Sequence, residues 1–275
     1  VFAAALALAA AVSWGIGDFL GGLKSRSLAP IAVLMVAQPI GGALLGIWVL
    51  ARGQGPPGTV VVWACLAAAF GTIGLVAFYR GMAAGALSIV APIAGAGAAI
   101  PVFWGLAHGE RPSLYQQLGF VAAFGGIVLA SWERQPQAAR IAAGVGWAAL
   151  AMLSFGCYPI PMQAASRGDF LWAAFVFRLA STAIVATAWL ALRPRSAQRT
   201  DLPALAAIGV LDTGGNVFFA AASTRGLLSV VTVLASLYPV ATVLLARGFL
   251  HERVHRSQEL GILLALVGIV LISAG

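Results

Sequence analysis

Arg178 lies inside the apolar stretch "FLWAAFVFRLASTAIVATAWLAL" (170–192). It is about eight residues in, roughly 12 Å deep at a helical rise of 1.5 Å per residue. An arginine at the centre of such a stretch costs about 2.5–3.5 kcal/mol and needs a partner or a wet cavity. Two roles fit it. One is a bidentate clamp for a substrate carboxylate; the other is an ion pair with Asp212, which would account for both residues at once. Asp212 and Asn216 are one helical turn apart on one face, beside Gly214 and Gly215, which could loosen the helix and expose carbonyls to a substrate or ion. Asp18 follows "WGIG" near a loop end, where solvation is the simpler expectation. A buried Asp18 or Asp212 could carry a proton. Trp14, Tyr79, Trp104, Tyr158 and Tyr238 could line a cavity that stacks on a flat apolar ligand, with an interfacial or core role as the alternative for each. His108, His251 and His255 sit at loop edges with no metal-site spacing, and Cys65 and Cys157 fall within apolar stretches. The sequence therefore points to no metal, disulfide or cofactor.

The elements that position these residues follow from composition. Hydrophobic residues make up 61% of the chain, charged residues 9%, and mean hydropathy is +0.97. A soluble domain carries roughly 25% charged residues, so this chain cannot cover itself with a water-compatible surface. It reads as an all-α polytopic membrane protein. Ten transmembrane helices are expected at about 2–23, 30–51, 60–79, 86–107, 115–132, 142–165, 170–192, 203–223, 227–248 and 258–274. The first is kept as a span rather than a signal peptide, because no clean cleavage site follows it. Charges collect in short breaks such as "RGQGPPG" and "RPRSAQRTD", which leave no room for a soluble domain. The net charge of +8 then serves topology rather than nucleic acid. Trp132, at a span end, reads as part of the interfacial belt. Pro92, Pro159, Pro161 and Pro239 each remove a backbone hydrogen bond, marking expected breaks in the fourth, sixth and ninth helices.

The chain also repeats itself. "GERPSLYQQLGFVAAFGGIVLAS" (109–131) and "HERVHRSQELGILLALVGIVLIS" (251–273) share a charged corner and a glycine-spaced helix, 142 residues apart. At an offset of 141, the Ser-aromatic-Gly of "AVSWGIG" (Ser13-Trp14-Gly15) meets that of "AMLSFGC" (Ser154-Phe155-Gly156), and "GALSIV" (85–90) meets "GLLSVV" (226–231). Residues 1–137 and 138–275 are thus two five-helix repeats. Five is odd, so the second copy starts from the opposite side, giving inverted repeats around a central cavity. Gly119 and Gly126, with Gly261 and Gly268, recur every seven residues on one face. Gly42/Gly46 and Gly81/Gly85 are small-xxx-small pairs, and all of these are expected to serve close helix packing.

The segment "TRGLLSVVTVLASLYPVATVLLARGFLHER…QELGILLALVGIVLIS", with its first-half counterpart "YRGMAAGALSIVAPIAGAGAAIPVFWGLAHGER", resembles the EamA branch of the drug/metabolite transporter superfamily. Within it, the short loops and aromatic-rich spans look most like YddG-type aromatic amino-acid exporters. The resemblance implies a secondary transporter in a bacterial-type inner membrane, exporting small metabolites by alternating access. Aromatic or apolar amino acids are the expected cargo, and other metabolites or drugs the alternative. Two departures stand out. Gly97 replaces a common proline, and Gln38 stands where many members carry an arginine, so Gln38 joins the candidate substrate-binding residues.

Both halves of a pathway lie in one chain, so a functional monomer is expected, with lipid and small-molecule substrate as partners, protons as a candidate coupling ion, and no nucleic acid. An arginine among few carboxylates disfavours strongly cationic cargo. The enzyme reading is an intramembrane aspartyl protease built on "GIGD" (15–18), "DTG" (212–214) and "PAL" (203–205). It lacks a Tyr-Asp partner motif, and its PAL precedes the second aspartate within one helix. Orientation is contested. Of the 16 lysines and arginines, Arg178 is in a span, Arg52, Arg111, Arg167 and Arg225 border even-numbered loops, and the other eleven border odd-numbered ones. That bias puts both ends outside, whereas the resemblance implies both ends cytoplasmic.

Overall fold

The computed structural model describes residues 1–84, 90, 93–130, 138–250 and 256–274. Pro92, Trp132, His251 and His255 lie outside the described residues. Within them every element is helical: α1 (Phe2–Lys24), α2 (Pro30–Ala51), α3 (Gly58–Ala84), α4 (Ala99–Ala107), α5 (Leu114–Ala130), α6 (Ala138–Cys157), α7 (Pro159–Leu192), α8 (Leu202–Ser223), α9 (Leu228–Ala235), α10 (Tyr238–Leu250) and α11 (Arg256–Ala274). Helices are what an apolar chain in lipid must form, because each one satisfies its own backbone polar groups. Five stretches are long and apolar enough to cross a membrane: α1, α2, α3, Gly146–Leu192 and Arg199–Ser223. Ile93–Ala107, Leu114–Leu129, Leu228–Thr242 and Glu259–Ile272 are shorter apolar helices.

The interruptions have local causes. Pro159 opens α7 one residue after α6 ends, at the first position, where the missing N–H costs nothing. Pro161 sits in the same first turn and adds no break of its own, which corrects the expectation for it. Pro239 follows the interruption between Ala235 and Tyr238. Pro39, which the sequence reading did not single out, lies inside an unbroken α2. The loop expected between the sixth and seventh spans is instead a single break in the 34-residue α7, where Asp169 takes φ −165° and ψ 111°. Thirty-four residues of straight helix would measure about 51 Å, far more than a hydrocarbon core of about 30 Å. One straight helix of that length does not fit such a core, and the chain breaks at Asp169.

Asp169 has two jobs there. Its Oδ1 accepts hydrogen bonds from the N–H groups of Leu171 (2.9 Å) and Trp172 (3.1 Å), capping the helix that carries Arg178. Its carboxylate also takes both terminal nitrogens of Arg52, at 3.1 and 2.6 Å. Partial burial alone would push the carboxyl up, but the Arg52 guanidinium and the two N–H groups outweigh it and hold the group below its usual range. A depressed folded-state value contributes stability above the unfolded value of about 3.9 and loses it as pH falls through the folded one. Asp169→Asn keeps the cap but removes the charge. It should lower the thermal midpoint of the detergent-solubilised protein at pH 7. The gap should begin to narrow near the unfolded value of about 3.9, and variant and wild type should converge only once pH has fallen below the depressed folded-state value. A gap that persists in acid would mean the charge plays no part.

The repeated corner proves to be a cross-half joint. Gly109 supplies a φ of +89° at the turn. Ser113 and Gln116 then form a reciprocal capping box at the start of α5. Between them, Glu110 reaches into the other half: its Oε1 accepts from Leu228 N–H (2.6 Å) and its Oε2 from Ser229 N–H (3.0 Å), the first free donors of α9. A carboxylate at a helix N-terminus is favoured by both the free N–H groups and the helix dipole. Glu110→Ala should cost about 1–2 kcal/mol of stability, the usual range for a lost cap, and Glu110→Gln should recover part of it. Equal stability of all three in thermal unfolding would show that the cap is idle.

Gly119, Gly126 and Gly268 serve close helix packing, as expected, and they do so against each other's helix; Gly85 lies outside the described residues. α5 packs on α11, where a Cβ on Gly119 would lie 2.6 Å from Ile272 Cγ1 and one on Gly126 would lie 2.5 Å from Ala265 N. Two further contacts exchange under the offset of 141. A Cβ on Gly15 would stand 2.8 Å from the Tyr238 carbonyl oxygen and 2.5 Å from Ala241 Cβ. One on Gly156 would stand 2.6 Å from the Gly97 carbonyl oxygen and 3.0 Å from Ile100 Cγ1. Gly97 itself lies against the Met152 carbonyl, so the approach of α6 leaves no space there for a side chain.

Candidate functional site

The ends and breaks of these helices converge on a buried cavity of about 90 Å³. Trp14 and Asp18 enter it from α1, Gln38 from α2, Thr72 from α3, and Phe155 and Tyr158 from the α6–α7 junction. Phe177 and Arg178 come from α7, Asp212, Asn216 and Phe219 from α8, and Thr232, Ser236 and Tyr238 from the α9–α10 break. Both sequence halves supply walls, while among the described residues α5 and α11 contribute none of the lining.

Arg178 is the chemical centre. It is 1% exposed, and its Nη1 lies 2.7 Å from Asp212 Oδ2, whose side chain is 18% exposed. Gly42 makes room for the arginine stem: a Cβ there would lie 2.9 Å from Arg178 Cγ. The ion pair is close but poorly aimed. Nε, Nη1 and Nη2 are all buried, and none donates a well-aligned hydrogen bond among the described residues. Buried donors of this kind are costly to leave unmade. Among the described residues, four more buried polar atoms on the same lining have no hydrogen-bond partner: Gln38 Oε1, Thr72 Oγ1, Thr232 Oγ1 and the Tyr238 hydroxyl. Such a wall is built to be completed by something that enters it.

Around this polar centre stands an aromatic wall. Trp14 meets Tyr158 edge-on at 6.3 Å between centroids and Phe219 at 5.7 Å. Tyr158 meets Phe177 at 5.5 Å and Phe219 at 5.6 Å. Asn216 ties the two regions together: it accepts from the Tyr158 hydroxyl (2.8 Å) and donates to the Asp212 carbonyl (2.7 Å). α8 runs without interruption past Gly214 and Gly215, so these glycines do not loosen it. Gly215 instead admits the Trp14 indole, since a Cβ there would lie 2.5 Å from Trp14 Cδ1.

Of the residues singled out in the sequence, Trp14, Gln38, Tyr158, Arg178, Asn216, Tyr238, Asp18 and Asp212 line the cavity. Asp18 departs from expectation: it is 9% exposed and faces the interior, not the loop. Tyr79 lies behind the wall, buried, with its hydroxyl hydrogen-bonded to the Asp18 carboxyl. Trp104 is elsewhere. It is 43% exposed and stacks on His108 with centroids 3.9 Å apart. Asp212 is committed to Arg178, which removes one carboxyl from the shared-proton dyad an aspartyl protease requires. The sequence reading missed Thr72, Phe155, Phe177, Phe219, Thr232 and Ser236. Phe219 was within reach, because positions 212, 216 and 219 share one helical face.

The family model described as the EamA-like transporter family matches residues 1–132 and 142–274. No curated protein matches the chain. A solved crystal structure is similar to it with a TM-score of 0.78 at 18% identity, over 99% of this chain and 96% of the other. At that identity the likeness speaks for the fold alone.

Proposed function

The chain belongs to the EamA-like transporter family, and from that premise we propose that it exports aromatic and other apolar amino acids by alternating access. The family makes it an integral membrane transporter of the drug/metabolite transporter superfamily; the cargo and the cycle are our reading. One observation carries it: a buried guanidinium with three nitrogens lacking aligned acceptors stands beside an aromatic wall. The first matches a carboxylate in a bidentate fork, the second a flat apolar side chain. The cavity measures about 90 Å³, and on this reading cargo the size of phenylalanine enters as the halves part.

The cycle rests on ten spans arranged as inverted repeats. Supporting this, the Gly15 and Gly156 contacts exchange halves under the repeat offset. Cross-half polar contacts also join loops of like parity: Lys24 to Asp201, Arg52 to Asp169, and Glu110 to the start of α9. Both halves lie in one chain, so the working unit is a monomer, placed in a bacterial-type inner membrane. Asp18 and Asp212 are the groups in the cavity able to carry coupling protons. Export of other metabolites or drugs is the second reading. Cationic cargo, disfavoured on sequence, gains support because Asp18 lies inside the cavity.

The test is flux into proteoliposomes with a panel of labelled amino acids. Saturable uptake favouring phenylalanine, tryptophan or tyrosine is expected. Absence of saturable flux for every amino acid would discard the cargo and turn attention to other metabolites.

A further inference from the structure

Resting on the amino-acid reading above, we propose that Asp18 is the binding residue for the cargo's ammonium group, and that the amine is an obligatory part of what the cavity accepts. The argument begins with charge. The carboxylates lining the cavity are those of Asp18 and Asp212, and its one guanidinium is that of Arg178. Arg178 is paired with Asp212 at 2.7 Å. No ion pair among the described residues gives Asp18 a cation; its neighbour is the hydroxyl of Tyr79, a neutral donor. A carboxylate buried without a cation is strongly unfavoured, so Asp18 is either held neutral by a proton or completed by a cation, and that is the vacancy an entering ammonium fills.

A second, independent atom points the same way. Gln38 is 2% exposed, lines the cavity, and its Oε1 has no donor among the described residues. An N–H or O–H of entering cargo is able to complete such an amide oxygen. The vacancy is also close to the clamp. A Cβ on Gly17, the residue beside Asp18, would lie 3.7 Å from the backbone nitrogen of Asp212, the residue that holds Arg178. α1 beside Asp18 and the guanidinium on α7 therefore both approach Asp212 on α8. An α-amino acid carries its two charges on groups joined through a single carbon, and it presents an ammonium to Asp18 and a carboxylate to Arg178 from one position. Cargo with the carboxylate alone leaves Asp18 uncompensated and adds a third negative charge beside it. Cargo with the amine alone fills the vacancy and leaves the Arg178–Asp212 pair untouched.

Three compounds that share a phenyl ring separate these cases: phenylalanine, phenethylamine and 3-phenylpropionate. Each competes with labelled phenylalanine for uptake by wild-type protein in proteoliposomes. Phenethylamine and 3-phenylpropionate should each compete at least about tenfold more weakly than unlabelled phenylalanine, the size of one lost charge-assisted contact. Asp18→Asn, checked for folding by size exclusion, should weaken competition by phenethylamine by a similar factor. If phenylalanine is carried but 3-phenylpropionate competes as well as unlabelled phenylalanine, Asp18 does not hold the amine and this assignment falls while the amino-acid reading stands. If phenylalanine itself is not carried, both fall together. The ligand series uses unmodified protein, so a variant that misfolds does not decide the outcome.

Discussion

Arg178→Ala should abolish saturable phenylalanine flux, by about 100-fold or more, the equivalent of losing about 3 kcal/mol of charge-assisted contact. The same change should destabilise the protein, because it strands Asp212 beside an empty space. Breaking a buried pair costs about 3–5 kcal/mol, and the partial exposure of Asp212 puts this one toward the lower end. Stability and transport can be separated. Arg178→Ala combined with Asp212→Asn removes the stranded charge and should regain most of the thermal stability without regaining flux. Arg178→Lys keeps the charge but not the planar fork, so it should retain stability better than flux. If the double variant transports at the wild-type rate, Arg178 is only a structural ion and the carboxylate clamp is wrong.

The second large effect is mechanical. α2 and α8 cross backbone against backbone: Gly209 lies against the Ala37 carbonyl, and Gly41 against the Gly209 carbonyl and Thr213 Oγ1. A Cβ at Gly209 would collide with main chain, which cannot rotate aside as a side-chain tip can. Gly209→Val should therefore cost more than the roughly 1–3 kcal/mol typical of overpacking, and monodisperse protein should be lost on solubilisation. The crossing also sets the register of Gln38, next to Ala37, against Asp212 on α8. Gly214 provides the control. Nothing lies within 4 Å of a Cβ placed there, so Gly214→Ala should be neutral or gain up to about 1 kcal/mol from helix propensity. Equal thermal midpoints for the Gly209 and Gly214 variants would refute the close crossing.

Much of this architecture was legible because a repeat shows itself twice. The seven-residue glycine spacing in the two copies anticipated the α5–α11 contact, since small residues on one face have few other uses in lipid. Arg178 and Asp212 were legible for the same reason that they are costly: each needs a partner, and each was the other's best candidate. Depth was harder to read. Asp18 looked solvated because it precedes a loop, but α1 continues to Lys24, which leaves the carboxyl six residues, about 9 Å, inside the helix end. Trp104 failed for the converse reason. Composition does not say which side of a helix an aromatic takes, and its stacking on His108 turns it outward. The role of Glu110 was invisible, because its partners are backbone N–H groups 118 and 119 residues away. Backbone donors leave no mark on a sequence.

The central claim is that one cavity, built from both halves, opens alternately to the two sides of the membrane around an amino acid. Ser236 is 8% exposed on that lining, at the break between α9 and α10. Ser236→Cys, in a background with Cys65 and Cys157 replaced by alanine, places one thiol inside it. A membrane-impermeant thiol reagent is then applied to each side of oriented vesicles in turn. The account predicts modification from either side and protection by saturating phenylalanine. Modification from one side only, or labelling that phenylalanine does not slow, would contradict it.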